Sequence, residues 1–186
     1  MTALVIVVLA ACLALPGWAF VRDPRGVRLV GGALTVAWAA AIVATLFDGR
    51  VDGETTQDVL VLFALLLAVA GGAVVTAAAF LVIDQGRTEV GGEPPRIQAA
   101  GQVLRGGAWI GALERFAVFG ALAARWPEGV AIVLAVKGLG RYPELRTGAS
   151  AGTAERFIIG TMVSVIWASG CVYVALAPYV LPLTAL

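Results

Sequence analysis

Histidine is absent from this 186-residue chain, lysine occurs once and cysteine twice. Each shortage closes a chemistry. Without an imidazole there is no histidine-ligated haem, no ordinary zinc or copper site, and no Ser-His-Asp or Cys-His catalytic pair. Cys12 and Cys171 lie far apart and supply no thiolate cluster; both read as small apolar core residues, and no disulfide is expected. Charge is scarce as well, at 13% of residues and a net +1. The arginines are spread over short loops rather than massed into a stripe, so nucleic acid is not an expected partner. A hard cation held by carboxylate oxygens is the one metal chemistry left open. No motif asks for a metal or a cofactor, and neither is expected.

Apolar side chains fill the space. They make up 60% of the sequence, and mean hydropathy is +0.94, more apolar surface than a water-soluble single domain hides. Six stretches reach the roughly 17–25 residues of a membrane helix: Thr2–Phe20, Val27–Phe47, Asp58–Ile83, Gly107–Arg125, Pro127–Tyr142 and Arg156–Leu181. The expected fold is an all-α, multi-pass membrane bundle whose fifth span is short. Leu9-Ala10-Ala11-Cys12 has the outline of a lipoprotein cleavage box, but no basic residue precedes the apolar run, so an uncleaved first span is expected.

Charge sorting orients the bundle. Arg22, Arg25, Arg28, Arg87, Arg96, Arg105, Arg141, Arg146 and Arg156 follow spans one, three and five; only Arg50 and Arg125 follow spans two and four. The positive-inside rule then puts both termini outside. Residues 1–83 form an apolar packing half of three spans, and 107–186 a second half carrying the polar residues. Between them, 84–106 form a cytoplasmic loop in which Pro94-Pro95 is placed to start a short interfacial helix, the alternative being a plain polar linker between the halves. Three small-residue ridges, Gly31-Gly32, Gly71-Gly72 and Gly160-Ser164-Ala168, suit close helix packing, and one of them is expected to meet a second copy or a partner subunit. Gly152–Phe157 echoes Gly111–Phe116; any repeat would be a parallel one, but four shared letters in six also arise by chance in so biased a sequence.

Lys137, the single lysine, sits inside the apolar run Gly129–Gly140. A cation at membrane depth is unfavourable by several kcal/mol unless it faces protein or water, so it marks a functional site. Its expected partner is Glu114, on the small-residue side of span four with Gly107, Gly111, Val118 and Ala121. Arg141 is one turn from Lys137, before an expected helix break at Pro143. On span six, Thr153 is the expected cap, and Thr161 and Ser164 offer two hydroxyls. The candidate ligand-binding set is Glu114, Arg115, Lys137, Arg141, Thr161 and Ser164, lining a cavity in the cytoplasmic leaflet. In the bland alternative, Glu114 and Lys137 only lock helices together while Arg141, Glu155 and Arg156 snorkel to the interface. A Schiff-base lysine is disfavoured, because six spans and few aromatics make a poor chromophore pocket.

Three ordered motifs, Arg105-Gly-Gly-Ala-Trp-Ile-Gly-Ala-Leu-Glu-Arg115, Ala135-Val-Lys-Gly-Leu-Gly-Arg-Tyr-Pro-Glu-Leu145 and Ala154-Glu-Arg-Phe-Ile-Ile-Gly-Thr161 with Ser164, carry a resemblance. The chain resembles an uncharacterised family of bacterial integral membrane proteins, a domain of unknown function. The resemblance implies a multi-pass protein of the bacterial cytoplasmic membrane and picks out the motif residues, while their chemistry stays open. Three functions are then expected in turn: a small transporter or permeation-type protein binding an ion or anionic solute, a membrane scaffold or accessory subunit, and an enzyme acting on a lipid headgroup. In the last, the cations hold a phosphate and Glu114 is the general base.

Overall fold

The computed structural model describes residues 5–8, 10–11, 24–47, 54–88, 107–146 and 151–180. Apart from one short connection these residues are helical, and no strand occurs among them. Residues 5–8 and 10–11 are helical; the rest of the expected first span, Cys12, and the expected interfacial helix after Pro94 lie outside the described residues. Helix α1 is Pro24–Phe47, opening on a proline whose missing N–H is not needed there. Helices α2 (Glu54–Leu66) and α3 (Gly72–Thr88) join through a π-turn, Leu67–Gly71, without interruption. Then come α4 (Gly107–Ala123), α5 (Glu128–Arg146) and α6 (Ala151–Val180).

Three segments are long and apolar enough to cross a membrane: Pro24–Leu46, Thr55–Asp84 and Ala154–Ala177. They match the second, third and sixth expected spans and are compatible with an integral membrane protein. The α4 and α5 helices are 17 and 19 residues long, or about 26 and 29 Å at about 1.5 Å per residue, close to the ~30 Å of bilayer hydrocarbon. Much of the outer surface is apolar: Leu29, Trp109 and Leu139 are each at least 73% exposed, as side chains facing lipid would be.

Helix α6 is the hub, packing against α1, α2, α3 and α4, while α1 lies along α3. The core holds Leu34, Leu60, Leu67, Val74 and Val174 at 0–1% exposure. Trp38 stacks on Trp167 with ring centroids 5.6 Å apart. Each of the three small-residue ridges makes close contacts inside the chain, at Gly31, at Gly71 and Gly72, and at Gly160. A Cβ on Gly31 would stand 2.4 Å from that of Ala78, and one on Gly160 would meet the Phe80 ring at 2.9 Å. Gly71 and Gly72 face Trp167 and Arg115. Gly32, the other half of the first ridge, has nothing within 4 Å of an added Cβ.

Two expected helix boundaries move. The α5 helix runs through Pro143 to Arg146, past the expected break. The α6 helix begins at Ala151, which makes Thr153 its third residue. Its helical backbone rules out the extended conformation that a cap requires.

Candidate functional site

The turn between α4 and α5 sets the depth of the charges. Arg125 has φ of 57°, an unusual left-handed value for a residue with a side chain. Around it the Trp126 N–H donates to the Ala121 carbonyl at 2.9 Å and the Arg125 N–H to Leu122 at 3.0 Å, the paired bonds of a Schellman ending. Pro127 follows, and α5 starts at Glu128. Glu114 lies eleven residues before Arg125 and Lys137 twelve after it. At about 1.5 Å per residue both are about 17–18 Å from the turn, on antiparallel neighbours. They form an ion pair, with side chains 14% and 19% exposed respectively. The Lys137 ammonium also lies 5.8 Å from the centre of the Phe157 ring on α6, a favourable cation–π arrangement.

Beside this pair the long helix is distorted. A π-turn widens the ladder from i→i+4 to i→i+5 and displaces carbonyls from it. In lipid no water takes up a displaced carbonyl, so neighbouring helices must. Arg115 Nε donates to the Val69 carbonyl at 2.9 Å, and Trp167 Nε1 to the Leu67 carbonyl at 3.1 Å. Gly72 makes this approach feasible: a Cβ there would stand 2.4 Å from Arg115 Cδ. Arg115 is 5% exposed. Its guanidinium is thus a buried latch that also forms one wall of the site.

Glu114, Arg115, Lys137, Thr161 and Ser164 line one half-open cleft of about 240 Å³, open mouth included, with Val118, Val133, Leu134 and Val165 as its apolar walls. Five of the six expected binding residues therefore converge. Arg141, half-buried one turn along α5, does not line it. Val165 lines the cleft, and Arg115 beside it reaches Val69 on the Leu67–Gly71 turn. Val69 and Ala70 are the central residues of the Thr55–Asp84 segment, and Val165 and Ile166 those of Ala154–Ala177.

The hydroxyls divide sharply. Thr35, Thr45 and Thr76 each donate to a carbonyl three or four residues back, at 2.7–2.8 Å, the usual way a helix satisfies a hydroxyl in an apolar setting. Thr161 does not: its Oγ1 is buried with no partner among the described residues, and the side chain lines the cleft. Trp38 Nε1 is also unpaired, but it lies against Trp167 in apolar packing.

A second ion pair escaped the sequence reading. Asp84, expected to open a loop, is still helical in α3 and pairs with Arg156 on α6. The guanidinium lies 5.5 Å from the centre of the Phe80 ring. Arg156 is therefore tied across the bundle rather than snorkelling. The available signal was amphipathic: Phe80 and Asp84 are one turn apart on a single face. Nothing in the sequence pointed to the π-turn or to Trp167. Among the described residues no group of three or more carboxylate or thiol side chains is placed to hold a metal ion. No protein-family model matches the chain, and neither curated proteins nor solved structures yield a match.

Proposed function

We propose that this protein is a small multi-pass membrane protein of the transport or permeation type, binding an ion or anionic solute at Glu114, Arg115, Lys137, Thr161 and Ser164. The observation that carries the proposal is a charged, hydroxyl-lined cleft level with the middle of two membrane-competent helices, beside a π-turn in one of them. Transporter sites gather at that depth where helices are interrupted, and π-turns recur at functional sites. Mid-span depth favours a solute over a lipid headgroup, which lies at the interface. Six spans, with both termini outside in a bacterial cytoplasmic membrane, complete the proposal; the nine-to-two arginine asymmetry supports that orientation. Arg141 lies one turn from Lys137 along α5.

The test is flux through proteoliposomes holding sodium, potassium, chloride, nitrate or phosphate salts, read with a potential-sensitive dye and by direct ion measurement. Wild-type protein should carry at least one of these ions faster than empty liposomes, and Lys137→Met should abolish that flux. Flux equal to empty liposomes for every salt would refute the proposal. One observation favours a scaffold instead: Glu114 and Lys137 already satisfy one another. Under that reading the double variant Glu114→Gln/Lys137→Met keeps full biological function.

A further inference from the structure

The polar atoms lining the cleft are unequal in kind. Lys137 supplies an ammonium, Arg115 a guanidinium, and Thr161 and Ser164 a hydroxyl each; Glu114 is the one ionised acceptor. Two cations against one carboxylate leave the lining with one net positive charge. Arg115 spends one N–H on the Val69 carbonyl, and Lys137 one on Glu114. The Thr161 hydroxyl has no partner among the described residues, while Lys137 also faces the Phe157 ring and Arg115 the Glu114 carboxylate. Thr161 is 93% buried, since 7% is exposed, so bulk water does not readily satisfy it.

A metal cation suits this lining poorly. It needs several oxygen ligands, and here it meets one carboxylate and two hydroxyls beside two fixed positive charges. An anion meets the reverse: surplus donors and a single compensating charge. The narrow, apolar-walled space favours a compact ion, and one net positive charge favours a single negative one. We infer that the cleft is a binding site for a small monovalent anion of halide or nitrate size, held by Lys137, Arg115, Thr161 and Ser164. Glu114 acts as the internal counter-ion that keeps Lys137 in place when the anion has left. This inference rests on the transport reading of the same cleft and names its ligand class.

The test uses the full-length protein in lipid nanodiscs. Thermal unfolding is followed while sodium chloride, potassium chloride or sodium nitrate replaces sodium gluconate at constant ionic strength. A ligand that binds only the folded state raises the unfolding temperature saturably. Chloride and nitrate should do so equally with sodium or potassium, and gluconate should not. Thr161→Val keeps the side-chain shape and removes the unpaired hydroxyl; it should weaken the apparent anion affinity about tenfold or more. If that variant fails to fold, Ser164→Ala provides the same readout. A saturable response that follows the cation rather than the anion overturns the small-anion assignment and leaves the transport reading standing. No saturable response to any salt, with flux still present in proteoliposomes, overturns this inference alone; with flux absent, both fall.

Discussion

Removing one member of the Glu114–Lys137 pair leaves the other charge without its counter-ion in a site where both side chains are at least four-fifths buried. Breaking a buried pair in this way is typically destabilising by about 3–5 kcal/mol, whereas removing both partners together is often nearly neutral. The two single variants should differ. After Lys137→Met, the Glu114 carboxylate still interacts with the neighbouring Arg115 guanidinium, so the loss should fall near the lower end of that range. After Glu114→Gln, the ammonium keeps only the Phe157 ring at 5.8 Å and lines the cleft with a second cation, so the loss should fall near the upper end. The double variant should lose less than the sum by at least about 2 kcal/mol, the coupling expected of contacting charges. Reversible denaturation in mixed micelles, monitored by tryptophan fluorescence, measures all four proteins. Additive losses, or Lys137→Met more harmful than Glu114→Gln, would refute the reasoning.

The π-turn gives a second set of outcomes in the same assay. Gly72→Ala forces a Cβ to within 2.4 Å of Arg115 Cδ and should be destabilising by about 1–3 kcal/mol. Gly120→Ala, where nothing lies within 4 Å, should be neutral or stabilising by up to about 1 kcal/mol. Trp167→Phe leaves the Leu67 carbonyl without its donor and should lose about 1–3 kcal/mol; a change within about 0.5 kcal/mol would mean that the carbonyl needs no partner. Orientation is checked by cysteine labelling in intact cells. Reagent added outside should modify cysteines placed in Gly49–Thr56 and spare those in Arg87–Arg96 and Thr147–Thr153, and the opposite pattern would invert the proposed topology.

Much of this arrangement was legible in the sequence because its causes are local. Whether a stretch can be a membrane helix depends on its own side chains, so Pro24–Leu46, Thr55–Asp84 and Ala154–Ala177 overlap closely with runs visible by hydropathy alone. The Glu114–Lys137 pair was legible for a related reason. Each charge is prohibitive alone in an apolar run, and a hairpin places residues equidistant from its turn side by side. Tertiary structure decided the rest. The π-turn depends on Arg115 and Trp167, which reach Val69 and Leu67 across 46 and 100 residues of sequence, and no property of Leu67–Gly71 itself demands it. Helical continuation brought Asp84 to Arg156, where the sequence suggested a loop. The small-residue ridges show only that something packs closely; which helix meets Gly31, Gly71, Gly72 or Gly160 depends on the whole bundle. Thr161 differs from Thr35, Thr45 and Thr76 through its surroundings alone. A helix hydroxyl can donate to a carbonyl three or four residues back, and Thr161, lining the cleft with residues of α4 and α5, does not.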